Sequence, residues 1–350
     1  MIHNFNAGPS ILPREVYEEA AKAILDYNGT GLSILEIGHR TKLIESMLAE
    51  TVQLAKELMK LDADHEVLFL HGGATTQFFQ VPMNLLGENQ TAAYLDCGVW
   101  GSKAIKEAKL FGNVKVVASS KDKNYSYIPK DYVIPTDAVY FHYTTNNTIE
   151  GTEMFDIPDT SVPLIADMSS DILSHAIDFN RFALIYAGAQ KNIGATGVNM
   201  VVVRKDILGK INRPLPGMMD YRQHIEAESM LNTPPVFAIF VCLLTLRWLK
   251  KQGGVAAIEK INIAKADLLY KTLETTTGFE LPVATEDRSR MNVVFLIPDS
   301  DLEKRFLEAC TKENIIGVKG HRSVGGYRAS LYNALPLESV QVLSELIKQL

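Results

Sequence analysis

Residues 182–198, FALIYAGAQKNIGATGV, decide the fold. They open with an apolar run, Phe182-Ala183-Leu184-Ile185-Tyr186-Ala187, the pattern of a buried strand. The run ends in two small residues, Gly188 and Ala189. Lys191 follows at once, with Gly194 and Gly197 beyond it. A flexible primary amine thus stands at the carboxyl end of a buried strand, where open α/β sheets hold their ligands. Its small neighbours leave room beside it, and burial there would lower the amine's pKa, as nucleophilic lysines require. The plainer alternative is a solvated loop lysine, and on this stretch alone both stand.

A second stretch discriminates between them. Residues 162–166, VPLIA, form another short apolar run, and Asp167 ends it. Asp167 precedes Lys191 by 191 − 167 = 24 residues, about one strand–connection–strand unit. Neighbouring strands would bring a carboxylate and an amine to the same sheet edge. Pyridoxal 5'-phosphate (PLP) needs that pair, a lysine to hold its aldehyde and an aspartate to keep its ring nitrogen protonated. Asp167 also suits a helix N-cap, helped by Ser169 and Ser170, and the two roles are compatible.

Other motifs surround this pair. HGGATTQF at 71–78 follows an apolar strand and opens a helix, so glycine turn and helix N-terminus make a phosphate cradle, with Gly73 and Ala74 small enough for close approach. GHRSVGGYR at 320–328 places His321, Arg322 and Arg328 around a glycine-rich turn in a chain of net negative charge. Arginine forks match phosphate and carboxylate, so the cluster favours anion binding over a solvated face.

YAGAQKNIG at 186–194 with ADMSSDILS at 166–174 resembles the phosphoserine aminotransferase family of class V, fold-type I PLP-dependent enzymes. NFNAGPSILP (4–13), GHR (38–40), NNTIEGTE (146–153), NTPP (232–235) and GHRSVGGYRASLYNALP (320–336) carry the likeness along the whole chain. The resemblance implies an α/β fold with a mainly parallel central sheet flanked by helices. It implies a large PLP-binding domain, 15–254, and a smaller C-terminal α+β domain, 255–350, with the N-terminal arm 1–14 packing near it.

The implied reaction is reversible transamination of 3-phosphohydroxypyruvate with L-glutamate to O-phospho-L-serine and 2-oxoglutarate, in serine biosynthesis. In many bacteria such enzymes also serve pyridoxine biosynthesis through 4-phosphohydroxy-L-threonine, and the motifs do not decide between these uses. By resemblance Lys191 holds the cofactor and moves the proton, while Asp167 partners the ring nitrogen. Ala74, Thr75 and Gln190 contact the cofactor, Trp100 stacks on its ring, and Thr148 bonds near the ring hydroxyl. Many relatives carry an arginine where Thr75 stands. Asn232 and Thr233 would reach the cofactor phosphate of a partner subunit, although helix capping would also suit them. His39 and Arg40 would hold the substrate's anionic end in the partner's site, with His321, Arg322 and Arg328 as further substrate ligands.

Composition agrees with such an enzyme. The chain has 350 residues, 47% apolar, with net charge −6, enough for a substantial core in one large and one small domain. No basic run points to nucleic acid. The three cysteines, Cys97, Cys242 and Cys310, are too scattered to suggest a metal site and fit a reducing, cytoplasmic setting. No apolar run is long enough for a membrane span. Small-molecule substrates are the expected partners.

The remaining pattern predicts helices over 14–26, 41–58, 236–249, 255–275 and 302–313, and strands over 138–142, 198–203, 292–297 and 327–332. The strand at 198–203 is expected at the antiparallel edge of the sheet. Helix 236–249 carries more apolar residues than one face needs, which suggests a two-fold homodimer interface with shared sites. Two rivals stay open. Another class-V enzyme is the nearer, although a desulfurase needs a mobile cysteine that Cys97 and Cys310 do not offer. A non-catalytic binding protein is the other.

Overall fold

The computed structural model describes residues 1–321 and 325–350. Seven strands form one sheet: β1 (His65–His71), β2 (Thr91–Asp96), β3 (Asn113–Ser119), β4 (Phe141–Thr144), β5 (Leu164–Asp167), β6 (Phe182–Gly188) and β7 (Val198–Arg204). Their spatial order is β1-β7-β6-β5-β4-β2-β3. β6, β5, β4, β2 and β3 are parallel neighbours, and β7 is antiparallel to both β1 and β6. Every residue of β4, β5 and β6 is buried, which is why these segments read as unbroken apolar runs rather than alternating ones.

The expectation for residues 198–203 is corrected. β7 is antiparallel but lies one place inside the sheet, paired on both sides, and β1 takes the edge. The sequence VNMVVV carries none of the exposed polar positions that guard an edge, and all six residues are buried. The fourth strand also starts later than expected, because Ala138 N–H closes a turn on the Pro135 carbonyl. After Asp167 the chain makes turns over 169–173 rather than a helix, so Asp167 does not act as a helix cap.

Nine helices are described: α1 (Arg14–Leu25), α2 (Lys42–Met59), α3 (Ala74–Leu85), α4 (Val99–Ala108), α5 (Tyr221–Glu226), α6 (Val236–Lys251), α7 (Val255–Thr275), α8 (Ser300–Lys312) and α9 (Leu337–Lys348). β1 shows how both sheet faces are covered. Leu68 and Leu70 join Phe78, Val81 and Ile105 of α3 and α4, while Val67 and Phe69 join Met47, Leu48 and Ile239 of α2 and α6. Period-two alternation sends neighbouring residues to opposite cores. Each such aliphatic or aromatic side chain contributes about 1.5–3 kcal/mol on burial.

The surplus apolar surface of α6 is used within the chain. Residues 239–246 and Leu249 are buried, with Tyr27 edge-on to Phe240 at 5.4 Å. Phe237 and Trp248 remain part-exposed. That helix therefore gives the dimer expectation little support.

A second core lies beyond α6. α7, α8 and α9 pack with the antiparallel pair β8 (Asn292–Phe295) and β9 (Tyr327–Ser330) around Leu269, Phe295, Phe306 and Leu343. Phe5 of the N-terminal arm is buried in this core, and His3–Asn4 pairs in parallel with Ile315–Ile316. Among the described residues, no helix is long and apolar enough to cross a membrane.

Candidate active site

Asp167 is the last residue of β5 and pairs in register with Tyr186 on β6. Lys191 follows the end of β6 by three residues. Parallel strands end on the same side of the sheet, so carboxylate and amine meet there. They line a cavity of about 130 Å³ together with Gly73, Ala74, Thr75, Trp100, Thr148 and Gln190. Thr144, Asn146, Ser169 and Ser170 complete its wall.

Lys191 Nζ donates to Thr148 Oγ1 at 2.5 Å. Burial pushes the amine's pKa down to about 8; Asp167 opposes that shift and Arg328 adds to it. The Asp167 carboxylate is 3% exposed. Its Oδ1 accepts from Ser169 N–H at 2.9 Å and from Ser169 Oγ at 2.6 Å, an Asx turn that locks the side chain. Ser169 Oγ in turn accepts from Gly188 N–H at 3.1 Å, which ties the ends of β5 and β6 together. Burial raises the Asp167 carboxyl above its ordinary pKa, against the pull of Ser169, Lys191 and Tyr186.

Opposite the amine, α3 begins at Ala74. Gly73 precedes it without a side-chain cap, and Gly73, Ala74 and Thr75 all line the cavity. A Cβ on Gly73 would meet nothing within 4 Å. Space and helix N-terminus together suit a phosphate. Trp100 stands near the start of α4 with its indole Nε1–H buried and without a hydrogen-bond partner, and Lys103 Nζ lies 4.3 Å over its ring.

Arg328, 9% exposed, comes from β9. Its Nη1 donates to the Thr148 carbonyl at 3.3 Å, and its Nε has no partner. His321 is exposed, with its carbonyl accepting Gly325 N–H at 2.9 Å. Arg322 lies outside the described residues. The other expected residues sit elsewhere. His39 and Thr233 line a separate cavity of about 590 Å³ between the 34–39 loop and the start of α6. Arg40, Asn232 and Thr233 are exposed, and Pro235 rather than Asn232 or Thr233 is the N-cap of α6, with no side-chain capping bond. The structure does not bring these four beside Lys191 of their own chain.

Sequence reasoning assigned no role to the arm residue Ser10 or to the buried polar wall. Ser10 N–H donates to the Gln190 carbonyl at 2.9 Å, and its hydroxyl donates to the Lys191 carbonyl. The turn NAGPS was visible, but its contact with the lysine loop is non-local. Glu153, Asp171 and His175 form a buried cluster, with potential ligand atoms within 4.8 Å of one another. Burial pushes both carboxyls up.

Residues 2–343 match the family described as Aminotransferase class-V. The chain is 55% identical over 349 residues to the phosphoserine aminotransferase of Flavobacterium johnsoniae, an alignment covering 99% of this chain and 98% of that one. The chain belongs to the phosphoserine aminotransferase family of class V. The family member of Bacteroides thetaiotaomicron is 53% identical over the same length. Among solved structures, phosphoserine aminotransferase from Bacillus circulans subsp. alkalophilus is 44% identical and superposes with a TM-score of 0.96, covering 100% of this chain and 98% of that one. The PLP-bound phosphoserine aminotransferase of Trichomonas vaginalis is 36% identical with a TM-score of 0.95, covering 99% and 100%.

This member of the family is therefore a PLP-dependent transaminase. The cavity suits that cofactor on its own chemistry. The open space at Gly73 and the uncapped start of α3 match its phosphate. The carboxyl of Asp167, raised by burial, would be stabilised as an anion by a cationic ring nitrogen. Lys191 supplies the amine.

Proposed function

We propose that the enzyme catalyses reversible transamination of 3-phosphohydroxypyruvate with L-glutamate, giving O-phospho-L-serine and 2-oxoglutarate for serine biosynthesis in the cytoplasm. The observation that carries this reading is the gathering of an amine, a buried carboxylate and a buried guanidinium around Thr148 and one cavity. Bound there, PLP supplies an aldehyde that exchanges amines and a ring that withdraws electrons from the attached carbon.

Lys191 is the residue that would hold the cofactor through its amine. The freed amine stays at the Thr148 hydroxyl and carries the proton away from the substrate's α-carbon. A pKa near 8 keeps both of its forms populated near neutral pH, as a group that must accept and return a proton requires. Asp167, locked by Ser169, would keep the ring nitrogen protonated. Thr148 and Gln190 would orient the cofactor, Ala74 and Thr75 would offer amides to its phosphate, and Trp100 would pack on its ring. Arg328 has an unpartnered Nε in a buried setting, and its fork takes the substrate carboxylate. His321 and Arg322 bind the substrate's phosphate end. Residues 255–350 with the arm 1–14 act as a small domain that brings Arg328 to the site.

His39, Arg40, Asn232 and Thr233 serve the partner subunit of a two-fold homodimer. The support for this reading is their separation from Lys191 of the same chain. An isologous contact would complete two sites with one surface.

The test is to add O-phospho-L-serine, L-serine and L-alanine separately to the PLP-loaded protein and follow the cofactor's absorbance. Only the phosphorylated amino acid should convert it rapidly. Equal conversion by alanine would overturn the substrate assignment while leaving a transaminase.

A further inference from the structure

β4, β5 and β6 are adjacent, and their register places Thr144 opposite Asp167 and Asp167 opposite Tyr186. His142 lies two residues before Thr144 and so shares its face of the sheet. There the Tyr186 hydroxyl meets His142 Nε2 at 2.8 Å. Both residues are buried, His142 at 1% exposure and Tyr186 at 0%. The imidazole stacks on Tyr94 at 4.8 Å. Nothing in the proposed reaction uses this pair.

The direction of the bond follows from counting protons. A neutral imidazole has one N–H and a phenol one O–H. His142 Nδ1 has no hydrogen-bond partner. A buried N–H without a partner is rarer than a buried lone pair without one, so the proton belongs on Nε2 and points at the Tyr186 oxygen. The phenol's own proton is then free for a second acceptor. Its cross-strand neighbour is Asp167, whose carboxyl pKa the Tyr186 hydroxyl lowers.

We propose that His142 and Tyr186 are positioning residues for Asp167: His142 Nε2–H donates to the Tyr186 oxygen, and the Tyr186 hydroxyl donates to the Asp167 carboxylate, fixing its direction and keeping it ionised against the cofactor ring. This rests on the reading of Asp167 given above. Burial holds the imidazole neutral, with its pKa pushed down to about 3. The other titratable groups facing the pair, Tyr94, Tyr140 and Tyr221, are phenols raised by burial and carry no charge at neutral pH. The chain therefore works through dipoles alone. It adds a third donor behind a carboxylate that Ser169 already holds on one oxygen.

Two measurements test it. In apoprotein labelled with 15N-histidine, with the His142 signals identified by their loss in His142→Leu, the imidazole should be the neutral Nε2–H tautomer from about pH 6 to 9. The Nδ1–H tautomer, or an imidazolium at pH 7, overturns the proposal, and this measurement does not depend on a Tyr186 variant folding. In holoenzyme carrying ring-15N PLP, Tyr186→Phe should shift the ring nitrogen toward its unprotonated signal and lower kcat about ten-fold with KM for O-phospho-L-serine unchanged. His142→Gln, which keeps an N–H donor, should stay closer to wild type than His142→Leu. Asp167→Asn serves as the reference. If it alone moves the ring signal and Tyr186→Phe matches wild type, the relay is overturned and the reading of Asp167 survives. If Asp167→Asn also matches wild type, the reading of Asp167 fails and the relay with it.

Discussion

Replacing Arg328 by glutamine should slow the capture of PLP by the apoprotein at neutral pH, although Arg328 does not line the cavity. Two cations meet at one residue. Lys191 Nζ is 2.5 Å from the Thr148 hydroxyl oxygen, and Arg328 Nη1 is 3.3 Å from the Thr148 carbonyl. Burial is the main reason that the amine's pKa falls from 10.5 to about 8, Asp167 acts in the opposite sense, and Arg328 lowers it further. Only the neutral amine adds to an aldehyde. At pH 7.5 a pKa near 8 leaves about a quarter of the amines neutral, against about one in a thousand for an ordinary lysine. Without Arg328 the amine holds its proton more firmly, and each unit of rise cuts the neutral fraction nearly ten-fold below the pKa. The capture rate at pH 7.5 should fall about three- to ten-fold in Arg328→Gln, and the midpoint of its pH profile should move upward. Stopped-flow absorbance of apoprotein mixed with PLP between about pH 6.5 and 9.5 reads both quantities. An unchanged profile in Arg328→Gln, or a wild-type midpoint at the ordinary lysine value, would refute the reasoning.

Asp167→Asn should lower turnover about a hundred-fold or more while leaving the apoprotein's thermal midpoint unchanged or raised, because a carboxyl whose pKa is lifted by burial opposes folding in its charged form above that pKa; calorimetry beside a rate assay checks both. Lys191→Ala and Arg40→Ala should each be inactive alone, yet recover activity when unfolded and refolded together, and no recovery in mass-verified mixed dimers would mean that each chain builds its own site. Gly194→Ala should destabilise the fold by about 1–3 kcal/mol, since a Cβ there would clash with Cys242 Sγ and stand 3.1 Å from its Cα on α6; a denaturant midpoint equal to wild type would show that α6 gives way freely.

Much of this architecture is local in origin and so legible in the sequence. Unbroken apolar runs such as FALIYAG mark strands covered on both faces, and the 24-residue spacing from Asp167 to Lys191 places both at one end of two parallel neighbours. The strings around them also carry the family resemblance, which the match over residues 2–343 bears out. Spatial order is a different matter. That β7 lies inside the sheet depends on β1 closing over it, which no residue of 198–204 announces except the lack of a guarded edge. The apolar excess of α6 reads as an interface because α1 and α2, which cover part of it, are some two hundred residues away in the chain and that packing is invisible locally, while Phe237 and Trp248 stay part-exposed. Ser10 on the Lys191 loop and His142 behind Asp167 were missed for the same reason, since both contacts cross between distant segments. The polar pair Asn232-Thr233 suits a helix cap by composition, yet Pro235 is the N-cap of α6 and both residues are exposed.

The account stands or falls on Lys191 being the residue that holds the cofactor. Reducing the PLP-loaded protein with borohydride fixes the cofactor to its amine, and peptide mapping by mass spectrometry then locates it. The pyridoxyl mass should appear on the peptide containing Lys191 and be lost in Lys191→Ala, which should still bind PLP without a covalent link. A pyridoxyl mass on any other lysine, at full stoichiometry, would contradict the account.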